Sequence, residues 1–253
     1  MKIKISQLVL VFFAFSRCLQ AQTTLFADNF NGAAVSLIGL SPDTRPGSEV
    51  WGGSPSILAN GSFSGSVGAY LPLTLAAGNI YQLTTTIQTG SSWSGWIAMG
   101  FIEGNPAENK GRFADNAASD WFLIHQDGRI QYFTDAGFAG QVTTGQDPKN
   151  QMLAYVITIN ASNASPSNWT LSGSLTFNGN TYTPWPGTNI NAGITSLSQM
   201  TGIGFGAQDG TGTITNFSLT ATPTIPEPST YAALAGLAGL GLAWTKRRRR
   251  ATV

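Results

Sequence analysis

The chain predicts an all-β fold, a single β-sandwich, on three observations. Runs with period-2 alternation recur through its middle, hairpin-type dipeptides separate them, and no stretch of that region sustains a 3.6-residue period. Composition points the same way. Only 10% of the 253 residues are charged, against ~25% in an average soluble domain, and 30 are Gly. A chain poor in charge and rich in Gly, Ser, Thr and Asn suits an exported β domain. With 42% hydrophobic residues it has ample material for one core, which excludes disorder.

Each element follows from its own residues. Leu25-Phe26-Ala27-Asp28-Asn29-Phe30 reads as a short first strand, and residues 41–56, rich in Pro, Gly and Ser, as a loop. Tyr81, Leu83, Thr85 and Ile87 alternate with polar residues, which predicts a strand with one wet face. The runs Trp93 to Ile102 and Trp121 to His125 are more uniformly apolar. They suit central strands covered on both faces, or strands lining a ligand surface. Between them, Glu103 to Asp120 is a polar connection of the length usually kept for functional loops. Asp127-Gly128 and Asn178-Gly179 are hairpin turn signals, and Leu153, Tyr155, Ile157 and Ile159 alternate like the earlier strand. So do Trp169, Leu171, Leu175 and Phe177. The closing run Thr213 to Thr220 is expected to pair with the first strand. No linker divides the region, so residues 22–222 are read as one domain.

The two ends read as addresses. Lys2 and Lys4, an apolar run from Leu8 to Phe15 and a small residue at Ala21 form the three parts of a secretory signal peptide over residues 1–21. Cleavage there removes Cys18, the only cysteine, so the mature protein holds no disulfide. At the other end Pro226-Glu227-Pro228 precedes an apolar run from Tyr231 to Trp244, and Lys246, Arg247, Arg248, Arg249 and Arg250 follow. A helix over those 14 residues is ~21 Å long against a hydrocarbon core of ~30 Å. It spans only over about 229–245, with its arginines snorkelling to the cytoplasmic side. The prolines force an extended segment just outside the membrane, where a membrane protease could engage it.

Residues 223–253 resemble a PEP-CTERM sorting signal, with all three of its parts in order. The resemblance implies a bacterial protein carried to the envelope, outer surface or extracellular matrix and anchored transiently by its C-terminal helix. It also implies the export machinery and an exosortase-type membrane protease as partners. The order of strands, with the terminal strands side by side, resembles the concanavalin A-like, laminin-G-like jelly roll. An immunoglobulin-like reading would need two domains in the same 204 residues between Gln22 and Ile225.

Chemistry is mostly excluded. Between residues 22 and 225 stand five cations and eleven acids, a net charge of −6 with no basic cluster, so nucleic acid is not a partner. Glu49, Glu103 and Glu108 do not form the close glutamate pair of jelly-roll glycosidases. His125 is the only histidine, too few for a zinc site, and no Gly-x-Ser-x-Gly elbow accompanies it. It reads as a strand-end residue with a satisfied hydrogen bond. No catalytic residue is assigned. Calcium is the one metal the residue types allow, with Asp28, Asp115, Asn116, Asp127 and Asp209 as candidate oxygen donors and no ligand set assigned. Trp51, Trp93 and Trp185 fall at loop or strand-end positions, Trp185 between two prolines, and are expected to stack on sugar rings. Trp121 and Trp169 are expected in the core. The sequence therefore reads as a non-catalytic exported protein associated with extracellular polysaccharide. A structural surface protein and a divergent polysaccharide hydrolase remain as alternatives.

Overall fold

In the computed structural model, which describes residues 21–103, 118–134, 137–185, 190–191, 200–224 and 236–237, the alternating runs become antiparallel strands. In chain order these are β1 (Thr23–Asp28), β2 (Gly52–Gly53), β3 (Ser62–Pro72), β4 (Asn79–Thr89), β5 (Trp96–Glu103), β6 (Ala118–His125) and β7 (Arg129–Thr134). There follow β8 (Gly137–Thr143), β9 (Met152–Ala161), β10 (Thr170–Phe177), β11 (Asn180–Tyr182), β12 (Ile190–Asn191) and β13 (Met200–Pro223). Residues Thr23–Thr222 form one compact unit.

The strands make two layers that share β13. Its first part lies between β3 and β5, so one sheet runs β2-β3-β13-β5-β6-β7-β8. Its last part pairs with β1, Thr23 facing Ala221 and Asp28 facing Phe217, and its neighbour on the other side is β4. The second sheet continues β4-β9-β10-β11, with β12 also on β10. Between the two parts the register shifts from Ala207 to Gly210, and Asp209 takes a left-handed conformation at φ 48°. A bulge of this kind lets one strand leave one sheet and enter another. The terminal strands pair as the sequence indicated.

The core lies between the sheets and is filled by the inward half of each alternation. Tyr81, Leu83, Thr85 and Ile87 of β4 are buried, as are Leu153, Tyr155, Ile157 and Ile159 of β9. The opposite sheet contributes Ile97, Met99 and Phe101 of β5 with Phe122 and Ile124 of β6. Tyr155 ties the layers by donating its hydroxyl to the Ile97 carbonyl of β5 at 3.1 Å. Burial pushes this phenol far above its ordinary pKa. The Asn178-Gly179 hairpin joins β10 to β11 with both residues at positive φ, 49° and 73°, as a two-residue turn requires.

The three tryptophans expected to meet sugar are core residues instead. Trp51, Trp93 and Trp185 are 1%, 4% and 2% exposed, so no ring face is left for a ligand. Trp51 packs edge-on against Phe205 and Phe217 at 5.8 and 5.1 Å, and its indole N–H donates to the buried Asp28 carboxylate at 2.7 Å. Trp185 meets the ring of Phe122 edge-on at 5.2 Å. Loop position in the sequence did not mean exposure, because the large apolar rings of these segments turn inward and join the core cluster. Trp169 is fully buried in the same core, as expected.

The expected signal peptide lies outside the described residues apart from Ala21, and so does the helix at 229–245 apart from Gly236 and Leu237. Pro226, Glu227, Pro228 and the basic cluster Lys246 to Arg250 also lie outside them. No helix among the described residues is long and apolar enough to cross a membrane.

Candidate functional site

A second apolar cluster lies on the face of the first sheet turned away from the core. It consists of Trp96, Ala98 and Ile102 of β5 with Trp121 and Leu123 of β6, and Tyr70 of β3 and Phe133 of β7 pack against it. Alternation dictates this arrangement. Along Trp96 to Ile102 and Trp121 to Ile124 the odd and even positions are both apolar, so each strand supplies one residue to the core and the next to the outer face. Trp121 is therefore buried, but outside the core that the sequence assigned it to.

Cross-strand register orders this face into two rows. In the first, Trp121 of β6 stands opposite Phe133 of β7, which stands opposite Phe138 of β8. The Trp121 and Phe133 rings stack at 4.1 Å and 5°, Phe138 meets Phe133 edge-on at 5.6 Å, and Trp96 approaches Trp121 at 6.1 Å. Gly100 is needed beneath them, since a Cβ there would come within 2.2 Å of the Trp121 Cβ. The row is covered at its centre and open at its end. Trp96 and Trp121 are buried, Phe133 is half-buried, and Phe138 is 59% exposed on the last strand of the sheet.

The second row turns polar toward the sheet edge. Leu123 faces Gln131, which faces Gln141, and the His125 imidazole shares a 2.9 Å hydrogen bond with the Gln131 side-chain oxygen. The Gln131 amide donates to the Gln141 oxygen at 3.5 Å. The sole histidine thus has a satisfied partner, as the sequence suggested. Across the sheet, the Trp96 indole N–H donates to the Gln208 side-chain oxygen at 2.8 Å. Burial raises the Tyr70 phenol above its ordinary pKa at the far side of the face. An open aromatic edge beside a ladder of amides can take the apolar face of a ring and the hydrogen-bonding groups around its rim together.

Of the candidate calcium donors, Asp28 is buried and accepts hydrogen bonds from the Phe30 and Trp51 N–H groups. Desolvation raises its pKa, against the lowering effect of those two bonds. Asp127 is held by Arg129 at 2.7 Å, Asp209 interacts with Ser66, and Asp115 and Asn116 lie outside the described residues. Among the described residues no group of three or more His, Cys, Asp or Glu side chains could hold a metal ion.

Sequence reasoning missed Phe133, Phe138, Gln131 and Gln141. The available signal was the doubly apolar character of the two runs, which marked a possible ligand-lining surface without saying which side chains reach it.

Residues 224–249 match the PEP-CTERM protein-sorting motif. The chain carries a PEP-CTERM sorting signal. That signal implies export to the envelope or surface and processing by an exosortase. No curated protein matches the chain. Among solved structures, the metal-free carbohydrate recognition domain of Emp46p is 12% identical with a TM-score of 0.46, covering 76% of this chain and 96% of its own. Lectin II from Ulex europaeus is 10% identical with a TM-score of 0.47, covering 80% and 98%. A Trypanosoma rangeli sialidase is 12% identical with a TM-score of 0.47, covering 82% of this chain and 32% of its own. At these scores the likeness says nothing of ligand or activity. Strand order and register by themselves establish a two-layer antiparallel β-sandwich.

Proposed function

We propose that this PEP-CTERM protein is a non-catalytic component of the bacterial surface that associates with extracellular polysaccharide through the outer face of its β5-β6-β7-β8 sheet. The observation that carries the reading is the open end of the aromatic row at Phe133 and Phe138, lying directly beside the Gln131 and Gln141 amides. A pyranose ring has the matching duality, an apolar face of C–H groups and a rim of hydroxyls. In this reading the C-terminal helix anchors the chain until an exosortase-type protease cuts near Pro226-Glu227-Pro228, with Lys246 to Arg250 on the cytoplasmic side.

Retention of the exported protein on immobilised polysaccharides tests the binding. Saturable retention by at least one polymer, weakened in Phe138→Ala at an unchanged melting temperature, is the expected result. Equal retention of parent and variant would remove this face as the site. Mass spectrometry of the protein from its exporting cell tests the sorting half: a C-terminus near residue 228 is expected, and a mature chain still ending beyond Arg250 would refute it.

A further inference from the structure

The outer face also selects by charge, and this step rests on the polysaccharide reading above. Apart from Arg129, its described polar side chains include amides, one imidazole and the hydroxyls of Tyr70 and Thr143, all uncharged or weakly basic. The one guanidinium described on this face, Arg129 at the start of β7, is paired through its Nε with Asp127. That Nε lies 2.7 Å from one carboxylate oxygen, and the Arg129 main-chain N–H donates to the other at 3.1 Å, which fixes the carboxylate beside it. Among the described residues of this face, an anionic polymer would have to share this one cation with the Asp127 carboxylate. It would do so against a body of net charge −6.

Hydrogen-bond directions point the same way. With the Trp96 N–H on the Gln208 oxygen, the Gln208 amide keeps its N–H₂ as a donor. With the Gln131 amide on the Gln141 oxygen, the Gln141 N–H₂ is left over at the open end, next to Phe138. Neutral amide donors suit hydroxyl oxygens, which also return a proton to the amide oxygens' second lone pairs. A carboxylate or sulfate ester takes donors only and leaves its charge uncompensated.

We infer that the glycan bound at the Phe133-Phe138-Gln131-Gln141 edge is an uncharged polysaccharide, a neutral hexose polymer rather than a uronate or sulfate-bearing one. Binding then rests on ring contact and neutral hydrogen bonds, so added salt leaves it unchanged. Loss of one such aromatic contact weakens binding about threefold to tenfold.

The test is titration of the exported protein with soluble neutral glucan, mannan and galactan, and in parallel with alginate and a sulfated galactan, each at low and high salt. Phe138→Ala and Gln141→Ala are run alongside, with melting temperatures to confirm that both fold. Saturable, salt-independent binding to a neutral polymer, weakened severalfold by each substitution, is expected. Binding confined to alginate or the sulfated polymer, or lost at high salt, overturns the inference and leaves polysaccharide association standing. Binding to none of the five overturns both.

Discussion

Replacing Trp51 by Ala separates a structural tryptophan from a sugar-stacking one. The indole is 1% exposed, its ring touches Phe205 and Phe217, and its N–H is donated to Asp28, itself buried. Truncating a core aromatic to Ala costs about 3–5 kcal/mol. Removing a donor from a buried charged acceptor costs a further ~1–3 kcal/mol, part of it already counted in the truncation. A total of about 4–6 kcal/mol follows, within the ~5–15 kcal/mol that holds a typical domain folded. For a body of this size each kcal/mol moves the melting temperature by about 2–4 °C, so a fall of about 10–20 °C is expected. Differential scanning calorimetry reads it directly, and polysaccharide retention per folded molecule should stay at the parent's value. Trp51→Phe keeps most of the packing and loses the N–H, so it should fall between the two. A Trp51→Ala protein that melts within ~2 °C of the parent yet loses retention would refute the assignment of this ring to the core.

Asp28 makes stability depend on pH in a direction opposite to that of a salt-bridged carboxylate. Its folded pKa lies above the ordinary 3.8 because burial disfavours the charge. The folded state therefore holds the proton more tightly than the unfolded chain, and this residue's contribution falls as pH rises from 3.8 through the raised value. Urea midpoints of the parent relative to Asp28→Asn should accordingly drop across that window, and a flat difference would count against it. Tyr155→Phe removes the hydroxyl bond to the Ile97 carbonyl and should cost about 1 kcal/mol in the same urea titration, with no loss of cooperativity. A chain ending at Asp209 lacks the part of β13 that pairs with β1, and should show no cooperative melt, whereas one ending at Thr224 should melt like the full chain. A sharp transition in the shorter chain would contradict the shared-strand topology.

Strands with one wet face were legible because period-2 alternation reports burial on one side. β4 and β9 emerge with their inward residues as read, and the two Gly-containing hairpins fall where positive φ was required. The pairing of the ends was legible too, since both are short apolar runs with few other partners. What the sequence hid is the direction in which a loop tryptophan points. Trp185 between two prolines is stiff in either case, but stiffness does not say whether the ring turns to solvent or to Phe122. The outer-face rows were hidden for a related reason. Phe133, Gln131, Phe138 and Gln141 become neighbours only through the β7–β8 register, and that register slips between Tyr132 and Phe133. A local pattern fixes which residues share a face of one strand; a bulge decides which of them meet across two.

The last strand also sets where the fold ends and the address begins. β13 supplies Ile203 and Phe205 to the core from one sheet and Ile214, Phe217 and Leu219 from the other, and its partners lie as far back as Thr23. Long-range pairings of this kind are slow to form, because chain entropy is lost before the contacts are gained. Everything they need is nonetheless present by Pro223, and the sorting motif starts at residue 224. Among the described residues the last strand ends at Pro223, ahead of the Pro-Glu-Pro segment. A cut within that segment therefore removes the address and leaves every paired strand, both apolar clusters and the open edge at Phe138 in place, as release of a folded surface protein requires.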